Sequence, residues 1–162
     1  MLPEAMHEEV LAKAVEQFDS SAITGGHKQH GDLTLEIAPG KIIAVLNHLK
    51  SKEQFNRLST ITAVDRYPAE PRFEIVYQIQ SMDRNLRLRL KVRIGGEKPE
   101  IDSATAVWQG ANWYEREVFD LFGVHFRNHP NLARILMPEG YDGHPLRRDF
   151  PTHGHKYSYQ NE

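Results

Sequence analysis

The segment Phe73–Ile94, FEIVYQIQSMDRNLRLRLKVRI, decides the fold. Phe73, Ile75, Tyr77 and Ile79 occupy every second position of its first half. Leu86, Leu88, Leu90, Val92 and Ile94 do the same in its second half, with Arg87, Arg89, Lys91 and Arg93 between them. Successive side chains of a strand point to opposite faces, so each half reads as a strand with one apolar face. The polar SMDR between them predicts an antiparallel hairpin. Both apolar rows must share a face. A loop over 81–84 meets that condition, pairing Tyr77 with Leu88 and Ile75 with Leu90 inside, and Glu74 with Lys91 outside. A two-stranded ribbon is marginal alone, so its apolar face needs cover from the flanking chain.

Working outward, residues 3–18 predict a helix with Val10, Leu11, Ala14, Val15 and Phe18 on one stripe. Pro3 suits its first turn, where a missing N–H has no partner to lose. Gly25-Gly26 and Gly31-Asp32 bracket a short polar segment, and Leu33, Leu35 and Ile37 alternate as in a strand. Ile42, Ile43, Val45, Leu46 and Leu49 predict a helix over 41–50. Leu58–Asp65, rich in β-branched residues, predicts a further strand. Trp113–Leu121 predicts a last helix, closed by Gly123. The order is that of an α+β domain: a mixed or antiparallel sheet covered by helices on one face, followed by an ordered but irregular C-terminal extension. One domain over 1–151 and a flexible tail over 152–162 are expected.

The totals bound the function. With 162 residues the chain can bury a real core. A net charge of −2 implies no bulk attraction to nucleic acid or an anionic membrane. Absence of cysteine excludes disulfides, thiolate-held iron–sulfur clusters and cysteine zinc sites. No run of about 18 apolar residues is present, so no membrane span is expected. The start is acidic and amphipathic, unlike a secretory signal, and a cytoplasmic chain is expected.

The densest chemistry lies in GANWYEREVFDLFGVHFRNHPNLARILMPEGYDGHPLRRDFP, Gly110–Pro151. Arg116 and Asp120 stand four apart on the helix and so can pair on one face, worth roughly 0.3–0.5 kcal/mol if exposed. Glu115, Glu117 and Asp120 exceed what one pair needs. Arg134, Arg147 and Arg148 are natural partners, because guanidinium forks match carboxylates. The cluster is either a self-satisfied network or a surface matched to another protein. Paired carboxylates also serve glycoside hydrolysis, but nothing else here builds a sugar cleft. His125, His129 and His144 form a conceivable metal set. Gly123 and Pro130 interrupt any helix through the first two, and turn-stabilising roles fit better. The basic row 87–93 lacks exposed aromatics for stacking bases, so a solvated or partner-facing strand is favoured over nucleic-acid binding. Such a row also guards a strand against edge pairing.

That same stretch, with its Glu115-Arg116-Glu117, Asp120, Phe122-Gly123, His129-Pro130, Arg134-Ile135-Leu136 and Gly143–Asp149 elements, resembles the signature region of the 30-kDa subunit family of respiratory complex I, the proton-pumping NADH–quinone oxidoreductase. The resemblance implies a peripheral-arm subunit with no redox centre, catalytic residue, cofactor or metal of its own. FMN and iron–sulfur clusters would reside in partner subunits. It implies packing against the large hydrogenase-like subunit of the quinone site and near the iron–sulfur subunits, peripherally on the cytoplasmic face of the plasma membrane. It carries Glu115, Arg116, Glu117, Asp120, His129, Arg134, Arg147, Arg148 and Asp149 over as fold- and interface-forming residues. Ala133 stands where many relatives have a second basic residue. The end soon after the motif suggests a compact form, unfused to the large subunit. Two alternatives stay open: the equivalent subunit of a membrane-bound hydrogenase or ferredoxin-using complex, and a stand-alone metal enzyme built on His125, His129 and His144.

Overall fold

The computed structural model describes residues 9–151. Within them lie α1 (Val10–Phe18), β1 (Ile23–Gln29), β2 (Asp32–Ile37), α2 (Ile42–Ser51), β3 (Arg57–Asp65), β4 (Phe73–Ser81), β5 (Leu86–Ile94), β6 (Glu100–Asp102), α3 (Ala111–Phe122) and β7 (His125–Arg127). The expected helix start at residue 3 and the tail over 152–162 fall outside the described residues. The protein is an α+β fold around a five-stranded mixed sheet of order β1-β2-β5-β4-β3, with β2 and β5 parallel and the other neighbours antiparallel. α2 carries the chain from β2, near one edge, to β3 at the other.

Alternation explains the core. Leu35, Leu90, Tyr77 and Ile61 are consecutive partners across four strands, each at most 2% exposed. Leu46, Leu49, Val15, Val118 and Phe122 from the three helices join the same buried cluster. Full burial of each such side chain contributes about 1.5–3 kcal/mol. The α1 stripe is rotated from its expected position. Leu11, Ala12 and Val15 face inward, whereas Val10 is exposed and Phe18 stacks on the His48 ring with centroids 4.3 Å apart.

The β4–β5 register differs from the expected one by two residues. Tyr77 pairs with Leu90 and Ile75 with Val92, and the loop is 82–85 rather than 81–84. Parity is preserved, so the same residues face inward. The turn decides the register: Asn85 takes φ 50, a left-handed conformation that asparagine tolerates well, and the Arg84 N–H reaches the Ser81 hydroxyl. Glu74 therefore sits opposite Arg93, and its ion pair with Lys91, at 3.1 Å, runs diagonally. The basic row also lies on an interior strand, between β2 and β4, so edge protection is not its role.

The first hairpin is longer than the polar segment between glycines suggested, since β1 includes Gly25, Gly26 and His27. A Cβ at Gly25 would approach the Glu36 carboxylate to 2.8 Å, so a side chain there requires the Glu36 side chain to shift. A second, parallel pair, β6 with β7, has no counterpart in the sequence reading. It anchors the chain on either side of α3, burying Ile101 and Phe126.

Candidate functional site

The site is built on α3 and the extension that folds back over it. Ala111, Glu115, Val118 and Phe122 follow helical spacing along the inward face, and Asp120 is buried beside them. Gly123 closes the helix at φ 72, its N–H bonded to Phe119 O. Glycine is needed there twice over: the backbone is left-handed, and a Cβ would stand 2.5 Å from Arg147 Nη2 and His144 Nε2.

Glu115 is fully buried. One carboxylate oxygen accepts the Ser103 hydroxyl at 2.6 Å and the other accepts the Ala104 N–H at 2.6 Å, which fastens α3 to the chain after β6. Burial drives its pKa up, the two hydrogen bonds offset part of the rise, and it stands at about 7. His129 lies 4.0 Å from the same carboxylate but is no cation. Its Nε2 donates to Asn112 O and its Nδ1 accepts the Asn131 N–H, an arrangement that fits the neutral ring. Burial lowers its pKa further.

Asp120 does not pair with Arg116, contrary to the four-residue spacing. Its Oδ2 accepts the backbone N–H groups of Ile135, Leu136 and Met137, while Oδ1 meets Arg134 Nη1 at 3.1 Å. Burial works to raise its pKa, and these donors outweigh it and hold the group below the usual carboxylate range. The inward turn of Asp120 explains the lost pair: three fixed amides and a guanidinium compensate a buried charge better than a single arginine does. Arg116 instead donates to Ala133 O and Arg134 O, and lies over the Trp113 ring at 5.1 Å.

Arg147 donates to Phe122 O and Gly123 O, the unpaired carbonyl end of α3, and rests over Phe73. His144 Nδ1 donates to Asp120 O at 2.8 Å. Asp149 meets Arg72, and the Arg148 N–H meets Asp65, although the Arg148 side chain itself points outward. Burial pushes the Asp65 carboxyl up, but Arg72 and two backbone donors hold it at about 2.

Seven of the nine expected residues are thereby brought into one internal network. Glu117 is exposed, with no hydrogen bond or ion pair among the described residues, and the Arg148 guanidinium is likewise outward. His125 is exposed on β7, and His129 and His144 spend ring nitrogens on carbonyls of opposite ends of α3. Among the described residues no group of three or more histidine, aspartate or glutamate side chains is placed to hold a metal.

Asp65, Arg72 and Ser103 were not anticipated. Asp65 and Arg72 close the β3–β4 connection, and their only sequence signal is a charged pair flanking the proline-rich YPAEP. Ser103 is recognisable only once α3 is known to bury Glu115.

This arrangement lies inside a matched family region. Residues 35–156 match the model of the respiratory-chain NADH dehydrogenase 30-kDa subunit. The chain belongs to that family. It is 42% identical to the homologous NADH-quinone oxidoreductase subunit of Cereibacter sphaeroides over 156 residues, covering 95% of this chain and 76% of that one. Identity to the homologous subunit of Geobacter sulfurreducens is 41%, covering 93% of both. The mitochondrial 30.4 kDa subunit of Neurospora crassa is 46% identical over 126 residues, 44% of its length. Among solved structures, the trypsin-resistant fragment of Nqo5 superposes with TM-score 0.66 and 29% identity, over 75% of this chain and 98% of the fragment. A chain of the membrane-bound sulfane sulfur reductase, an archaeal respiratory membrane complex, gives 0.72 and 27%, over 88% and 84%.

Proposed function

We propose that this chain is a cofactor-free brace in the peripheral arm of NADH–quinone oxidoreductase. It supports electron transfer from NADH to quinone, coupled to proton translocation, without itself holding a reacting group. Its partners are the large hydrogenase-like subunit of the quinone site and the iron–sulfur subunits, which with the flavoprotein carry the iron–sulfur clusters and FMN. The assembly lies on the cytoplasmic face of the membrane, and no described helix of this chain is long and apolar enough to cross it.

The observation that carries this reading is how the signature charges are spent. Glu115, Arg116, Asp120, Arg134, Arg147 and Asp149 bind α3, the sheet and the extension to one another, which is how a rigid spacer is built. The outward remainder, Trp113 at 63% exposure with Arg116 stacked on it and Glu117 one turn on, has the aromatic and charged character of an interface anchor. Electron tunnelling and quinone access both depend on fixed distances, so a spacer without cofactors is functionally necessary to them.

The test is purification of the tagged chain from its own membranes in mild detergent, followed by NADH–quinone reductase assay of the eluate. Co-elution with a large, inhibitor-sensitive assembly is expected. A chain that elutes alone would overturn the reading. The likeness to the sulfane sulfur reductase chain favours one second reading, the equivalent subunit of a ferredoxin-using membrane complex. An assembly that reduces quinone with reduced ferredoxin but not with NADH would decide for it.

A further inference from the structure

The face of the sheet opposite the helices is divided into two halves with different charge balance. At one end Glu74, buried beneath its neighbours, meets Arg66 at 3.0 Å, Lys91 at 3.1 Å and Arg93 at 3.5 Å, so the cations there are internally compensated. At the other end an open groove of about 380 Å³ has Arg57, Arg87, Arg89, Gln78, Gln80 and Ser59 in its lining, with Asp32 as its one carboxylate. Its cations are barely compensated. Arg89 pairs with Asp32 only at 3.9 Å, Arg57 donates to the Met82 sulfur at 3.9 Å and has no carboxylate partner among the described residues, and neither has the exposed Arg87.

The register fixes how these groups are spaced. Gln80 is the sheet partner of both Arg57 and Arg87, and Gln78 is the partner of Arg89. Arg87 and Arg89 are two residues apart on one strand, hence about 6.6 Å, and Arg57 lies two strands over, about 10 Å. The register shift between Leu58 and Thr60 makes Ser59 the extra residue of a bulge and adds it to the groove lining. The result is a floor of two amides and a hydroxyl with three guanidinium forks standing round it.

From this geometry we infer that the groove is a docking site for an acidic segment of a partner protein, one that presents two carboxylates about 6–7 Å apart. Alternate residues of an extended strand, or residues four apart on a helix, have that spacing. Guanidinium forks bind carboxylates in two-pronged fashion, and the Gln78 and Gln80 amides are placed to satisfy the backbone of an inserted chain. A membrane surface fits less well, because the groove is concave and binding to anionic lipid calls for a flat cluster of roughly four to eight cations. Single-stranded nucleic acid would need exposed rings to stack on, and the rings of β4, Phe73 and Tyr77, are in the core.

The inference rests on the reading of the chain as one subunit of a larger assembly, and the experiment separates the two. The complex is purified with a photo-crosslinking benzoylphenylalanine in place of Gln80, and the crosslinked peptide is identified. A single acidic segment of another subunit is expected. Arg57→Glu/Arg87→Glu should lower the crosslink yield about tenfold and release the chain from the complex at lower salt. Lysine in place of the captured carboxylates should restore both. Arg57→Gln/Arg87→Gln gives the same direction of change with a smaller perturbation of the fold. Crosslinks to lipid or nucleic acid, to a segment without carboxylates, or to nothing would overturn the inference, as would a yield indifferent to the charge reversal. If the wild-type chain joins no assembly, the parent reading fails as well. If it assembles and the crosslink is absent, only this inference fails.

Discussion

Arg72 holds Asp149 in a two-pronged ion pair, Nη2 to Oδ1 at 2.6 Å and Nη1 to Oδ2 at 2.8 Å, across 77 residues of sequence. The same guanidinium donates to both oxygens of Asp65, whose side chain is 2% exposed. One arginine therefore ties the start of β4, the end of β3 and the far end of the extension together. Removing it strands a buried carboxylate, whereas removing Asp149, itself 42% exposed, leaves Arg72 still bonded to both oxygens of Asp65. Arg72→Ala is expected to cost about 3–5 kcal/mol, and Asp149→Ala less than about 1 kcal/mol. Denaturant melts of the purified chain check the ranking. Equal losses would mean that Asp65 finds other compensation.

The Asp120 carboxylate organises the extension in a second place. Three successive amides, from Ile135 to Met137, converge on one oxygen at 2.7–3.0 Å, much as they would on an anion at a helix start. Asp120→Ala should leave those donors and Arg134 without their acceptor and destabilise the chain by about 3 kcal/mol. Asp120→Asn keeps an acceptor but loses the charge, and an intermediate loss is expected. Limited proteolysis supplies the local readout: cleavage within 132–137 should rise in both variants before global unfolding does. Wild-type protection of that segment in Asp120→Ala would show that packing of Leu132 holds it instead.

The strands of the core were legible because alternation in 73–94 is nearly unbroken, and burial enforces it. Register was not, since sliding by two residues keeps every side chain on its face. The choice fell to the backbone freedom of Asn85. Helical spacing marked α3 and allowed an Arg116–Asp120 pair that does not form, while Arg134, a candidate partner from downstream, does meet Asp120. Arg116 and Asp120 are neighbours on an isolated helix, yet Asp120 is turned into three amides of a loop whose path no local rule describes. Glu115 was visible as one of three carboxylates, with no sign that it is fully buried and, unlike the equally buried Asp120, held by uncharged donors alone. That depends on Ser103 and Ala104, which reach it through the unforeseen β6–β7 pair.

Glu117 and Arg147, both in the signature, are expected to fail in different ways. Arg147 caps the carbonyl end of α3 and lies 5.3 Å from the Phe73 ring centre, so Arg147→Ala should lower the stability of the isolated chain by about 2 kcal/mol and the abundance of the complex with it. Glu117 is exposed without an internal partner among the described residues, so Glu117→Ala should leave stability within about 0.5 kcal/mol while still reducing assembly. Melting temperature of the isolated chain and complex abundance on native gels separate the two. In either variant, complexes that do form should turn over normally. Normal abundance with much lower turnover per complex would instead place these residues in the chemistry.

Glu115 gives the chain a pH dependence of unusual sign. Its carboxyl titrates at about 7 in the folded protein, against an ordinary value near 4.5. Between those values the folded state holds a proton that the unfolded chain has released, so this group's contribution to stability falls as pH rises from about 4.5 to 7. The size is of the order of 3 kcal/mol. His129 and His144 act the other way. Burial lowers the pKa of each, so they destabilise the fold as pH falls through the ordinary histidine range near 6.5. The net profile of the wild type is thus a partial cancellation, and Glu115 is isolated only by difference. Glu115→Gln keeps an acceptor near the Ser103 hydroxyl and the Ala104 N–H but cannot ionise. The variant should gain stability relative to wild type progressively from about pH 5 to pH 8, and the difference should be smallest at the acid end. Urea melts across that range measure it directly. A difference that stays flat with pH would mean that Glu115 titrates near its ordinary value in the fold, and that the Ser103 and Ala104 bonds fully offset its burial.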